Sequence, residues 1–175
     1  MKLETSLRAG VQDDADCLAA LAIQVWLDTY ATEGIRQSIA QFVLSEFTPT
    51  RFRQRLADPN IEVVVAEVNR HLVGFSIIRY GSICPLRPEV SSEVEVLYVQ
   101  SRFGRAGIGS KLLTHCEFLV RRRTPTHPDV WFSVNAQNEP ALAFYRKRGY
   151  GQVGSMDFEF SGEKHVNFVF VAGHA

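Results

Sequence analysis

Residues 93–110 read EVEVLYVQSRFGRAGIGS. The first seven read as a strand, Glu93 and Glu95 alternating with Val94 and Val96 before Leu97, Tyr98 and Val99. Three glycines follow, Gly104, Gly107 and Gly109, with Arg105 among them. The next residues, through Ile108, Leu112, Leu113, Cys116, Leu119 and Val120, recur at helical spacing. A strand, a glycine-rich basic turn and a helix N-terminus bring several backbone N–H groups around one point. Their partial charges and the helix dipole suit a phosphate or pyrophosphate. A tight turn that needs positive φ would use the same glycines.

Working outward, TSLRA (residues 5–9) reads as a short strand, and Asp13 or Asp14 as the cap of a helix. That helix carries Leu18, Leu21, Ala22, Val25, Trp26 and Tyr30 on its apolar face. A second helical stretch runs from about Gly34 to Phe47, and a short one from Pro49 to Leu56. IEVVVAEV and HLVGFSIIRY form two strands joined at Asn69 and Arg70. After Pro125 and Pro128, VWFSVNA is a strand, Asn138 caps a helix through Phe144 and Tyr145, and Gly149 stops it. Two strands close the chain, near GQVGSMDFEF and HVNFVFV. The order, β-α-α-β-β-β-α-β-α-β-β, predicts an α/β fold with a mixed sheet covered by helices.

At 175 residues without a linker or repeat, the chain is read as one domain, 1–175. Zero formal net charge argues against nucleic acid or an anionic membrane as principal partner. Arg121, Arg122 and Arg123 suit the end of their helix. Cys17, Cys84 and Cys116 are odd in number and far apart, which suggests neither a disulfide framework nor a zinc site. MKLETSLRAGVQDD has no apolar run fit for a signal peptide, and a cytoplasmic location is expected.

Two phosphate loops fail on the residues. A Walker A loop needs Lys and then Ser or Thr after its last glycine, whereas Ser110 here precedes Lys111. A Rossmann fingerprint needs a third glycine where this chain has Leu112. A third pattern fits. LYVQSRFGRAGIGSKLL resembles the acetyl-CoA-binding motif of the GNAT N-acetyltransferases, and NAQNEPALAFYRKRGY resembles that family's Asn-to-Phe-Tyr-to-Gly helix. The motifs stand in the family's order, and the resemblance covers almost the whole chain. One departure is that the family's Gln or Arg position is Gly104, with Arg105 one place later.

The resemblance implies a GNAT-type fold, largely antiparallel with helices on both faces, and acetyl transfer from acetyl-CoA to an amine, with no metal. It implies that main-chain groups of Leu97, Tyr98 and Val99 align the pantetheine arm and acetyl group. The pyrophosphate falls to the amides of Arg105, Ala106, Gly107, Ile108, Gly109 and Ser110. Asn138 touches the cofactor or caps its helix. Tyr145 matches the tyrosine that protonates, or hydrogen-bonds, the departing CoA sulfur, while Phe144 beside it is the expected core residue.

An amine of ordinary pKa must lose a proton before it attacks. Alternation places Glu93, Glu95, Leu97 and Val99 on one strand face. Glu93 has the spacing of the catalytic glutamate in histone-type members, and Glu95 lies nearer the reaction centre; either can also be a solvated carboxylate that attracts a cation. The ribosomal-protein branch keeps a glutamate on the following strand, where this chain has Ser133.

IQVWLDTYATEGIRQSI, SEFTPTRFRQRLADP and GSMDFEFSGEKHVNFVF are similar to bacterial polyamine N-acetyltransferases, with Asp28, Glu33, Glu93 and Glu95 as carboxylates for such a substrate. Other small amines, an aminoglycoside or a protein N-terminus remain open as acceptors. So do an acyl-CoA-binding regulatory module without catalysis, and assembly as a homodimer.

Overall fold

The computed structural model describes residues 4–160 and 163–172. Met1–Leu3 of the opening stretch, and Ser161 and Gly162 of the C-terminal stretch quoted above, lie outside the described residues. Strand β1 is Thr5–Ala9, followed by helices α1 (Ala15–Tyr30), α2 (Gln37–Glu46) and α3 (Pro49–Ala57). Strands β2 (Ile61–Val68), β3 (His71–Tyr80) and β4 (Ser92–Val99) come next, then α4 (Ile108–Arg123). Strand β5 is Trp131–Asn135, α5 is Glu139–Lys147, and β6 (Tyr150–Phe160) and β7 (Glu163–Ala172) end the chain. The strands form one mixed sheet in the order β1-β2-β3-β4-β5-β7-β6, as expected for an α/β fold.

Three helices precede β2, matching the three helical stretches read from the sequence, although the element order given there counted two. The stretch after Thr48 is a helix of its own because the Thr48 hydroxyl accepts the Arg51 N–H (3.2 Å) and Pro49 takes the first helical position. The β2–β3 turn has both central residues left-handed, Asn69 at φ 51° and Arg70 at φ 66°, the geometry of a two-residue hairpin loop. Asp14 corrects the expected cap. It stands just before α1, but its carboxylate accepts the Arg8 guanidinium (2.7 and 2.9 Å) and the Val11 N–H (2.8 Å), not an α1 amide. The Arg8 hydrogen bonds, more than the Val11 amide, hold this carboxyl below its ordinary range.

Two compact units divide the chain, with boundaries inside β3, β4 and α4. One comprises Met1–Ile78 and Val96–Cys116, the other Arg79–Glu95 and Glu117–Ala175. In the first, Leu18, Leu21 and Ala22 of α1 pack with Phe52 of α3 on Val63, Val65, Phe75 and Ile77 of the sheet. Phe75 meets Phe52 and Tyr98 edge-on at 5.8 and 5.6 Å. Ser76, on the other face of β3, meets Cys116 of α4 at 2.9 Å, so helices cover both faces of this unit.

In the second unit Phe132 of β5 lies between Tyr145 of α5, Tyr150 and Phe170. The opposite face of β5 and β7 is covered by the β3–β4 loop, whose Cys84 and Val90 pack on Trp131, Val169 and Val171.

Candidate active site

The glycine loop lies wholly in the first unit. A short 3-10 turn, Ser101–Phe103, leads from β4 into it. Arg105 (φ 63°) and Gly107 (φ 79°) are left-handed, and the Gly107 carbonyl then accepts the Lys111 N–H (3.0 Å) as α4 begins. The departure noted in the motif therefore puts a side chain, Arg105, into a conformation that costs an L-residue about 1–2 kcal/mol. Ala106, Gly109 and Ser110 continue this run, with Ala106 exposed and Gly109 and Ser110 inside the first turn of α4, while Ile108 is buried. Ile108 therefore contributes a core side chain, and only its main chain can face a ligand.

Tyr98 is likewise a core ring against Phe75, leaving its backbone for any other role. Beside it, Gly74 of β3 lets the strands approach, since a Cβ there would stand 2.8 Å from the Tyr98 carbonyl. Leu97 and Val99 are half-buried on the alternate face of β4.

Space at Gly107 is open, so replacing it tests backbone conformation more than packing. Gly107→Val should cost about 1–2 kcal/mol of stability through φ alone and shrink the rise in melting temperature that CoA produces. Thermal melts with and without CoA read both effects; an unchanged CoA shift would remove the loop from the ligand site.

The carboxylates lie in the second unit. Glu93 stands opposite Trp131 in the parallel pairing of β4 with β5, so the two side chains share a face. Ser82 confirms this, donating its hydroxyl to Glu93 Oε2 (2.7 Å) while its carbonyl accepts the Trp131 indole N–H (2.8 Å). Burial pushes the Glu93 carboxyl above its ordinary value, opposed by the Ser82 hydrogen bond; Glu95 adds to the rise, and Arg79 opposes it. Glu95 is placed differently. Arg79 donates from Nε (3.0 Å) and approaches with Nη2 (2.9 Å) at the same Oε2 of Glu95. One carboxylate is thus tied into an ion pair, and the other is held half-buried by a neutral hydroxyl.

Ser133 and Asn167 follow on the same face, 3.4 Å apart, Asn167 donating through Nδ2. These, Ser82 and Arg79 are site neighbours the sequence reading did not single out as such. No local signal marks them, because strand pairing alone collects them.

Tyr145 lies on the other face of β5. Its ring packs on Phe132 at 3.9 Å between centroids, and Phe132 follows Trp131 directly. Here the expected division of labour on α5 is reversed: Tyr145 is buried and Phe144 half-exposed. The buried positions Leu142 and Tyr145 are three apart, which sets the inward stripe of α5, and Phe144 falls outside it. Asn138 caps α5, its Oδ1 accepting the Ala141 N–H (3.2 Å).

Asp28 and Glu33, considered above as substrate carboxylates, lie in the first unit. Asp28 accepts the Ser101 hydroxyl (3.0 Å). Glu33 lines a pocket of about 410 Å³ at the end of α1, with Tyr30, Ile35 and Arg36. Among the described residues no group of three or more His, Cys, Asp or Glu could hold a metal, and no helix is long and apolar enough to cross a membrane.

Residues 26–171 match the family model described as Acetyltransferase (GNAT) domain. The chain is 25% identical over 158 residues to an "Uncharacterized N-acetyltransferase" of Mycobacterium tuberculosis, covering 90% of this chain and 96% of that protein. It is 32% identical over 107 residues to N-alpha-acetyltransferase RimI of the same organism, covering 61% and 62%. The fold is similar to that of PaiA N-acetyltransferase from Thermoplasma acidophilum, solved in complex with coenzyme A, with a TM-score of 0.78 at 19% identity over 98% of this chain and 100% of that one. These likenesses support the family and leave the kinship with polyamine enzymes without support.

Proposed function

The chain belongs to the GNAT acetyltransferase family, and on that premise we propose that it moves the acetyl group of acetyl-CoA to a primary amine by direct attack on the thioester, as one N-acetyltransferase domain over residues 1–175. Glu93 takes the amine's proton, directly or through water, and Tyr145 supplies a proton to the departing thiolate. Loop amides from Arg105 to Ser110 carry the pyrophosphate, and main-chain groups of Leu97, Tyr98 and Val99 pair with the pantetheine arm.

The observation that carries this reading is the placement of Glu93 and Tyr145 on opposite faces of the sheet at β5. Direct transfer needs a base on the side from which nitrogen arrives and an acid where sulfur leaves. A half-buried carboxyl with a raised pKa suits the first role, since a base works best with a pKa drawn toward the working pH. A regulatory module would need neither group.

Which amine follows from charge. Glu95 is neutralised by Arg79, which leaves Glu93, held by the neutral Ser82 hydroxyl, as the carboxylate on its face outside an ion pair with Arg79. That supply fits an acceptor with one positive charge better than a polyamine. An α-amine at a peptide N-terminus is the second reading, favoured by the likeness to an N-alpha-acetyltransferase. Thiol release from acetyl-CoA should be followed with n-propylamine, an alanyl peptide amide and spermidine as acceptors. Acetylation of the single-charge acceptors at higher kcat/KM than spermidine is expected. Preference for spermidine overturns the charge argument, and CoA binding without acetylation of any amine in a broad panel favours the regulatory module.

A further inference from the structure

The glycine loop is held from outside its own strand and helix. Gln100 and Ser101, the residues that lead into it, reach α1 with their side chains. Gln100 Nε2 donates to Gln24 Oε1 at 2.6 Å, and the Ser101 hydroxyl donates to Asp28 Oδ2 at 3.0 Å. Gln24 and Asp28 are four residues apart, hence neighbours on one face of the last turns of α1. The main chain of the same turn is fixed from the sheet side, where the Gln100 N–H donates to the Val73 carbonyl (2.9 Å). It is closed on itself by Phe103 N–H to the Gln100 carbonyl and Gly104 N–H to the Ser101 carbonyl, both 2.9 Å. All of these groups lie in one compact unit.

We propose that Asp28, with Gln24, is a positioning residue for cofactor binding: it clamps the turn that leads into the phosphate loop, and it does so as a hydrogen-bond acceptor, not as a charge facing the amine. The inference rests on the reading of the loop as the CoA pyrophosphate site. Its physical basis is preorganisation. Downstream, the loop is fixed by the first hydrogen bond of α4. Upstream, Arg105 and Gly107 must be kept left-handed, which the chain does not favour for arginine. A loop free to leave that shape would have to be ordered by the ligand, at a cost in affinity.

The test uses three variants of the full chain, Asp28→Ala, Asp28→Asn and Ser101→Ala, with CoA affinity measured by titration calorimetry and melting temperature measured without ligand. An asparagine side chain still offers an oxygen to the Ser101 hydroxyl. The alanine variants should each weaken CoA by about threefold to tenfold, as expected for one hydrogen bond of ordinary worth. The double variant Asp28→Ala, Ser101→Ala should be no weaker than either alone, since both remove one contact. Asp28→Asn should bind CoA as wild type does. Melting temperatures should stay together, so that a general loss of fold cannot imitate the result.

If Asp28→Asn weakens CoA as much as Asp28→Ala, charge and not the hydrogen bond matters, and the clamp is overturned. If all variants bind CoA like wild type, the clamp is also overturned, while the family reading stands. If wild type itself binds no CoA, the reading of the loop falls first and the clamp with it.

Discussion

Glu93→Gln should lower kcat/KM by about 10²–10⁴-fold near neutral pH, the range for loss of a general base. The pH dependence distinguishes this from a structural loss. Burial raises the Glu93 carboxyl above its ordinary value, so the wild-type enzyme should lose activity as pH falls through an ionisation displaced upward from that of a free glutamate. The variant should lack that ionisation and recover toward wild type at high pH, where neutral amine becomes abundant. Stability should move the other way. A carboxyl whose folded pKa is raised favours the fold when protonated. That contribution is present below its unfolded pKa and lost as pH rises through its folded pKa. Chemical denaturation should therefore find Glu93→Gln as stable as wild type at neutral pH, or more so.

Glu95→Gln provides the contrast. Its carboxylate is held by Arg79, and removing its charge leaves the guanidinium exposed to an incoming cation. The expected result is a raised KM that weakens in salt, with the Glu93 ionisation kept but moved down, since Glu95 adds to its rise and Arg79 opposes it. An ionisation lost in Glu95→Gln and kept in Glu93→Gln would exchange the two assignments.

These two carboxylates mark what the sequence could and could not disclose. Alternation along residues 93–99 put them on one face, and the structure agrees, because a strand's period is fixed by its backbone. What separates them is set by partners distant along the chain. Arg79 is 16 residues from Glu95, and Ser82 is 11 from Glu93. No periodicity within β4 encodes either contact.

The same distinction runs through the fold. The β2–β3 hairpin, the Asn138 cap and the stop at Gly149 are local chemistry and were legible. The role of Asp14 was not, since Arg8 competes for its carboxylate from another element. The Thr-Pro pair at Thr48 and Pro49 is likewise a local helix start, and the short helix read from Pro49 is there. On α5, neighbouring aromatics leave the inward direction ambiguous until Leu142 fixes the stripe.

That reversal shapes the second large expectation. Tyr145→Phe should lower turnover by about 10²–10⁴-fold if the hydroxyl protonates the departing sulfur, yet leave the melting temperature close to wild type. Phenylalanine keeps the ring, and the ring makes the contacts with Phe132, Phe144, Tyr150 and Phe170. Burial of Tyr145 thus does not argue against catalysis. It fixes the ring so that one hydroxyl points in one direction, as a positioned acid requires.

The leaving group supplies the decisive control. A thiol of lower pKa leaves more readily as thiolate, so an acetyl thioester of a CoA analogue with a more acidic thiol needs less help from an acid. The deficit of Tyr145→Phe should accordingly narrow with that donor, whereas a variant with a distorted site should be impaired with both donors. CoA affinity should be little changed, since the proposed contact forms as the carbon–sulfur bond breaks. Stopped-flow thiol release under single-turnover conditions isolates that step. A wild-type rate in the variant would leave Tyr145 as a packing residue. A deficit of the same size with the more acidic thiol would assign the loss to geometry and return the leaving-group role to solvent.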